Sequence, residues 1–192
     1  IDPFTDLVAK GAIISKKIGK GTANMRRGPA MSRTHAVMAV EAGVEVANTL
    51  APEVDIFGTG EMGIGNTTPS TAIAAVLTGK PVAELTGPGT GIDDEQRQHK
   101  ISVIEESIAL NKPDPKDPID ILAKIGGFEI GTIAGLILGA AAQKKPILVD
   151  GFISTAGALI ACELEPFARD YIICAHASAE PGHRWKLERL RR

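Results

Sequence analysis

Cysteine, aromatic residues and net charge are all scarce in this sequence, and each scarcity excludes a class of protein. Two cysteines, Cys162 and Cys174, are too few for a disulfide-stapled fold, so we expect both to be reduced and buried in a cytoplasmic protein. A net charge of −2 argues against a nucleic-acid partner, because such binders are usually basic over a whole face. Aromatic residues make up only 4% of the chain, which predicts an aliphatic core.

Long apolar runs and metal-ligand patterns are also missing. The longest apolar run begins at Ile130 and falls short of the ~20 residues that cross a bilayer, so no membrane partner is predicted. His176, Glu180 and His183 have the spacing of three ligands on one helix face. Pro181 interrupts that helix, so we predict no metal site.

A chain of 192 residues is long enough for one domain with a full core. The first five residues, from Ile1 to Thr5, resemble the remnant of an expression vector. We therefore expect residues 1–5 to be foreign and residues 6–192 to form a single domain.

Apolar runs that alternate with amphipathic segments predict strands followed by helices. Strands are predicted at Val54–Phe57, Pro146–Gly151 and Tyr171–His176. Helices are predicted at Arg33–Leu50, from Pro69 to about Leu77, after Asp93, after Asp117, from Phe128 to about Gln143 and from about Thr155 to Leu164. This order predicts an α/β fold, a Rossmann-like parallel sheet with helices on both faces in three layers.

Gly131, Gly135 and Gly139 recur at a spacing of four within one predicted helix. They remove the side chains from one helix face, so another backbone is expected to approach it closely. The partner is either the sheet or a twofold-related helix, and we favour the sheet.

The stretch Gly58–Gly63 matches the GxGxxG pattern of dinucleotide-binding turns. That turn requires a helix that begins inside the pattern, so that its free N–H groups face a pyrophosphate. The start signal here comes later, at Thr67-Thr68-Pro69, with threonine as the cap and proline at the first helical position. A loop of about ten residues is therefore predicted, and an NAD-dependent oxidoreductase is a less favoured alternative.

Three loops leave the carboxyl ends of the predicted strands, where ligands bind in parallel sheets. Glu61, in the first loop, can act as a base or stabilise a developing cation, or it can accept backbone N–H bonds that hold the loop. Asp150, in the second, can orient a ribose hydroxyl or cap the next helix. The three loops together predict a ligand site at one edge of the sheet.

The third loop has the composition of an anion site. Small residues allow backbone N–H groups to approach a phosphate, Ser178 adds a hydroxyl, and a helix beginning near Pro181 adds its positive end. A plain helix start capped by proline is the alternative. Lys100 lies at the margin of an apolar stripe, so its stem can cover the core while its ammonium reaches a cleft.

Several longer motifs occur in a fixed order along the chain. They are "GTANM" and "GPAM" between Gly21 and Met31, "GEMGIGNTTP" (Gly60–Pro69), "GTGIDDE" (Gly89–Glu95) leading to Lys100, "GGFEI" (Gly126–Ile130), "LVDGFISTAGAL" (Leu148–Leu159) and "AHASAEPGH" (Ala175–His183). In this order they resemble the nicotinate-nucleotide:dimethylbenzimidazole phosphoribosyltransferases of cobalamin assembly. The resemblance covers nearly all of Gly21 to Leu190.

The resemblance implies transfer of ribose 5-phosphate from nicotinate mononucleotide to 5,6-dimethylbenzimidazole, which yields α-ribazole 5′-phosphate and nicotinate. It implies a cytoplasmic homodimer that uses no cofactor, with Glu61 as the catalytic residue beside the ribose. The substrate-binding residues that it implies are Gly63, Gly65, Asn66, Thr67, Lys100, Asp150, Ser178, Glu180 and Gly182.

The sequence departs from the family pattern in its extent. Family members continue past the counterpart of Leu190 to a glycine-flanked glutamate that serves as general base, and they carry an amino-terminal segment of the benzimidazole pocket. We therefore expect a fragment that lacks both termini, keeps the sheet and the phosphate site, and turns over weakly or not at all. A non-catalytic module that binds a mononucleotide or phosphate is the alternative.

Overall fold

Three short strands form a parallel sheet in which they follow one another in chain order, and helices surround it. The computed structural model describes residues 5–87, 93–176, 178 and 180–191. The strands are β1 (Phe57–Gly58), β2 (Ile147–Val149) and β3 (Ile172–Cys174). The helices are α1 (Thr5–Ala9), α2 (Arg33–Leu50), α3 (Thr67–Thr78), α4 (Val82–Leu85), α5 (Asp94–Asn111), α6 (Pro118–Ile125), α7 (Phe128–Ala142), α8 (Gly151–Leu164) and α9 (His183–Leu190), with a 3₁₀ helix at Pro166–Tyr171.

The strand register brings the three predicted loops to one edge of the sheet. Gly58 lies opposite Leu148, and Val149 lies opposite Cys174, so all three strands end at similar heights. We call this edge, with the segments that follow β1, β2 and β3, the C-terminal rim. The predicted α/β fold with a parallel sheet among helices is confirmed. Leu148 and Ile173 remain 37% and 48% exposed, so helices cover one face of the sheet incompletely.

Local capping signals in the sequence predicted two helix starts correctly. The Asp93 side chain accepts from the Gln96 N–H, while the Gln96 side chain accepts from the Asp93 N–H, which is a complete capping box for α5. Asp117 caps α6 by accepting two backbone N–H bonds, and Pro118 occupies the first turn. These interactions involve neighbouring residues only, so the sequence alone specifies them.

The predicted start of α3 was wrong by two residues. The helix begins at Thr67 with Asn66 at the N-cap position, and Pro69 is its third residue. Proline is tolerated there because the first N–H groups of a helix have no intrahelical partner. Helix α8 also begins earlier than predicted, at Gly151 instead of Thr155.

The three strands are shorter than their apolar runs. In β1 only Phe57 and Gly58 pair with β2, and the preceding Ile56 is 46% exposed. Cys174, at the end of β3, is also exposed, so the prediction that both thiols are buried is wrong for it, whereas Cys162 is buried. The alternation of side chains along a strand turns some apolar residues away from the core.

The glycine-lined face of α7 packs against α2, so the prediction that it faces the sheet was wrong. A Cβ atom added to Gly135 would lie 1.8 Å from the Val40 carbonyl oxygen, and one added to Gly43 would lie 2.0 Å from the Thr132 carbonyl oxygen. Glycine occurs on both helices at the crossing, which allows two backbones of the same chain to approach directly. No helix within the described ranges combines the length and hydropathy needed to span a bilayer.

Candidate functional site

The loop between β1 and α3 carries the GxGxxG pattern but not the geometry of a dinucleotide turn. Strand β1 ends at Gly58 and helix α3 begins at Thr67, so the helix starts outside the pattern, as expected. Gly63 and Gly65 both have a φ of about +70°, a conformation that side chains other than glycine rarely adopt. These glycines therefore determine the path of the loop.

The Glu61 carboxylate folds back onto its own loop. Its Oε2 atom accepts the Gly63 N–H and, at 2.7 Å, the Asn66 side-chain Nδ2. The loop-holding alternative considered from the sequence is thus what the structure shows for this oxygen. Because Asn66 turns its Nδ2 toward the carboxylate, its Oδ1 faces elsewhere, and this buried oxygen has no partner within the described part of the chain.

Lys100 reaches from α5 to the first turn of α3. Its Nζ lies 2.8 Å from the Thr67 hydroxyl oxygen, and its half-buried position lowers the pKa of the ammonium, an effect that the Glu180 carboxylate partly offsets. The Asn66 side chain does not cap α3. Pro69 has no N–H and the Ser70 N–H bonds to the Asn66 carbonyl oxygen, so the first turn offers a ligand the N–H groups of residues 67 and 68. An ammonium and a helix N-terminus at one point form an anion-binding arrangement.

Glu180 lies close enough to Lys100 to influence its pKa, and Ser178 is hydrogen-bonded to Glu180. The Ser178 hydroxyl oxygen accepts the Glu180 N–H at 3.3 Å. Burial lowers the pKa values of Lys100 and of the buried Lys186, and the Glu180 carboxylate partly offsets both effects. Gly182 packs directly against the end of α4, because a Cβ atom there would lie 2.7 Å from the Leu85 carbonyl oxygen. The third loop is therefore held closely against α4.

Asp150 does not cap α8, so that alternative for its side chain was wrong. Its carboxylate pairs with His176 Nδ1 at 2.8 Å instead, and its backbone N–H donates to the Thr59 hydroxyl at 3.1 Å. The side chain turns away from its own helix because the His176 ring, in the loop after β3, offers it a hydrogen-bond partner. Asp150 thus connects all three segments of the C-terminal rim, through Thr59 and His176.

The sequence pattern indicated His183 only as a possible metal ligand, whereas in the structure its ring is a buried hydrogen-bonding group. The ring is 2% exposed, its Nδ1 accepts the Ser178 N–H at 2.7 Å, and its Nε2 lies 3.0 Å from the Thr155 hydroxyl. Burial, with smaller contributions from Lys186 and His176, lowers the His183 pKa to about 4. Across the described ranges, no three His, Cys, Asp or Glu side chains are grouped to hold a metal ion.

The rim therefore brings together most of the residues that the sequence singled out. Hydrogen bonds link Glu61 to Asn66, Lys100 to Thr67 and Ser178 to Glu180. The motif at Gly89–Glu95 lies partly outside the described residues, since residues 88–92 are not among them. Nothing in the sequence distinguished Thr59 and Thr155, because their roles depend on contacts with distant segments.

The chain has clear relatives among known proteins. A sequence model described as phosphoribosyltransferase matches residues 3–192. The nicotinate-nucleotide–dimethylbenzimidazole phosphoribosyltransferase of Desulfotalea psychrophila is 63% identical over 178 residues, which cover 93% of this chain and 50% of that protein. The protein of the same name from Syntrophotalea carbinolica is 60% identical over 187 residues, which cover 97% of this chain and 53% of that protein.

Two solved structures from Thermus thermophilus resemble the chain as well. The crystal structure of CobT has a TM-score of 0.86 at 39% identity and covers 92% of this chain and 53% of that one. A structure titled as the nicotinate-nucleotide–dimethylbenzimidazole phosphoribosyltransferase has a TM-score of 0.84 at 37% identity. The chain spans about half the length of the curated relatives that it matches. On this evidence, it belongs to the nicotinate-nucleotide–dimethylbenzimidazole phosphoribosyltransferase family.

Proposed function

We propose that this chain binds nicotinate mononucleotide and takes part in transferring its phosphoribosyl group to 5,6-dimethylbenzimidazole, with nicotinate and α-ribazole 5′-phosphate as products. The proposal rests on one observation: the Lys100 ammonium lies at the first turn of α3, which no side chain caps. A phosphate placed there receives backbone N–H bonds and a charge-assisted bond, and its charge offsets the desolvation of the ammonium. Ser178 and the glycine loop from Gly63 to Thr67 complete the proposed phosphate site.

The ribose and the reacting centre are proposed to lie beside Glu61. In the reaction the bond from the anomeric carbon to the nicotinate nitrogen breaks, and a bond to a benzimidazole nitrogen forms. The nicotinate nitrogen leaves as a neutral ring nitrogen, and the benzimidazole N–H proton passes to a base. A fixed carboxylate at this point stabilises the positive charge that develops on the anomeric carbon.

Glu61 fits that role because the protein already fixes its position. Its Oε2 atom is engaged by Gly63 and Asn66, which orients the carboxylate before a substrate arrives. The unpartnered Asn66 Oδ1 is suited to accept a hydrogen bond from a ribose hydroxyl, since a buried oxygen without a donor is costly.

We also propose that Asp150, Glu180 and Gly182 contact the substrate. A homodimer, a cytoplasmic location and weak or absent turnover remain predictions.

Calorimetry with nicotinate mononucleotide and with its phosphate-free riboside tests the proposal. Replacing Lys100 by Met is expected to weaken mononucleotide binding by about tenfold or more, because one charge-assisted hydrogen bond is lost, and to leave riboside binding unchanged. Lys116→Met, at an exposed lysine, is the matched control. Equal affinity of the unmodified protein for the two ligands would refute the phosphate site.

A steady-state assay with both substrates tests the transfer itself. Formation of α-ribazole 5′-phosphate is measured with the unmodified chain and with Glu61→Gln, which keeps the side-chain shape and removes the charge. Turnover comparable to that of a full-length relative would refute the expected impairment. In that case Glu61 becomes the leading candidate for the base.

A further inference from the structure

A buried chain of hydrogen bonds joins the start of α8 to Ser178. The Ser178 N–H can only donate, so His183 Nδ1, 2.7 Å away, must accept and carry no proton. The neutral ring therefore has its proton on Nε2 and donates to the Thr155 oxygen, at 3.0 Å. The Thr155 hydroxyl in turn donates to the Gly151 carbonyl oxygen at 2.6 Å.

Each hydrogen atom in this series of hydrogen bonds can occupy only one position. Because Thr155 gives its only hydrogen to Gly151, its oxygen can serve His183 only as an acceptor. Thr155 is 1% exposed and His183 is 2% exposed, so water does not substitute readily for either group. Thr155 thus selects the ring tautomer that leaves Nδ1 free to accept from Ser178.

We propose that His183, held as the Nε2–H tautomer by Thr155, is a positioning residue that presents the Ser178 hydroxyl to the phosphate of the bound mononucleotide. This inference rests on the proposed function. The Ser178 N–H is occupied by His183, and the Ser178 oxygen accepts the Glu180 N–H. The hydroxyl hydrogen is therefore the donor that Ser178 has left for an anionic ligand.

The alternative is that His183 only fills space in the core. That role needs its volume and not its tautomer, so removing the Thr155 hydroxyl should then change nothing at Ser178. The positioning role requires the hydroxyl, because without it the Nε2–H is buried without an acceptor. The proton can then move to Nδ1, where it opposes the Ser178 N–H.

Substitutions at Thr155 separate the two roles. Thr155→Val keeps the shape and removes the hydroxyl. We expect it to raise the dissociation constant of nicotinate mononucleotide about tenfold and to leave riboside binding unchanged, since one buried hydrogen bond is lost. Amide hydrogen exchange at Ser178 should accelerate by a similar factor. Thr155→Ser should restore both values toward those of the unmodified protein.

Thr132→Val is the matched control, because Thr132 also donates to the carbonyl four residues earlier in its helix but lies on α7. A second pair of variants tests the ring itself. Asparagine at position 183 places an amide oxygen near the position of Nδ1, whereas leucine has no acceptor. His183→Asn should therefore retain more mononucleotide affinity and more Ser178 amide protection than His183→Leu.

Unchanged mononucleotide affinity and unchanged Ser178 exchange in Thr155→Val would overturn the inference. So would equal losses in His183→Asn and His183→Leu, because they would show that volume alone matters. If the unmodified protein fails to prefer the mononucleotide over the riboside, the proposed function fails instead. Exchange at Ser178 would then still decide whether His183 holds this segment in the Nε2–H tautomer.

Discussion

Acidification should destabilise this protein through His183 in a pH range that begins well above the range of ordinary carboxylate titration. Burial lowers the pKa of the folded-state imidazole from 6.5 to about 4, with smaller contributions from Lys186 and from His176, which pairs with Asp150. The unfolded chain binds a proton at this residue below about pH 6.5, whereas the folded protein binds it only near pH 4. The stabilising contribution is therefore complete above pH 6.5 and is lost progressively as the pH falls to 4.

The size of the effect follows from the difference between the two pKa values. Each pKa unit corresponds to about 1.4 kcal/mol, so the shift to about 4 makes a contribution of about 3 kcal/mol to the free energy of unfolding. Near pH 5.2 the free energy of unfolding should change by about 1.2 kcal/mol per pH unit through this residue alone. That is a large share of the ~5–15 kcal/mol by which native domains are stable.

Urea unfolding measured at intervals from pH 7.5 to pH 4 tests the prediction. The His183→Asn variant should have a flatter profile than the unmodified protein across the interval from pH 6.5 to 4.5, because asparagine does not titrate. His99→Asn, at an exposed histidine of α5, is the matched control for replacing a histidine by asparagine. Parallel profiles for the unmodified protein and His183→Asn would refute the argument from burial.

Three further predictions concern the fold and the thiols. Gly135→Ala should lower the free energy of unfolding by ~3 kcal/mol or more in urea titrations, because its methyl group would collide with α2. Gly60→Ala is the control and should change the free energy of unfolding by less than ~0.5 kcal/mol, because a Cβ atom there has no neighbour within 4 Å. Asp93→Ala should lower the free energy of unfolding by ~1 kcal/mol in the same titration, because it removes the α5 cap. An unchanged free energy of unfolding would show that the capping box is dispensable. In the native protein at pH 8 a maleimide should label the exposed Cys174 first, because burial raises the Cys162 pKa to about 11; equal labelling rates would contradict this.

The sequence was sufficient wherever the decisive interaction lies between near neighbours. Arg33–Leu50 forms α2 with the predicted bounds, and the caps at Asp93 and Asp117 form as predicted. The prediction that α3 begins after the GxGxxG pattern, which argued against a dinucleotide turn, was correct, although the helix begins at Thr67 and not at Pro69. The order of strands and helices was also sufficient to predict that three loops meet at one edge of a parallel sheet.

Only the tertiary structure decided which groups touch across distant segments. The spacing of the glycines in α7 indicated that another backbone approaches this helix closely. That backbone belongs to α2 and not to the sheet, because α2 also carries a glycine at the crossing. The sequence left two roles open for the side chain of Asp150, and the cap does not form because His176 lies 2.8 Å from the carboxylate.

Sequence by itself therefore determined the family, the parallel sheet and the residues available at its rim. Tertiary structure decided the protonation and pairing of those residues. It determined which oxygen of Glu61 holds the loop, where the Lys100 ammonium lies, and which ring nitrogen of His183 is unprotonated. The physical reason is that helix caps and strand order depend on short-range geometry. Hydrogen-bond direction and desolvation depend on atoms that folding brings from far along the chain.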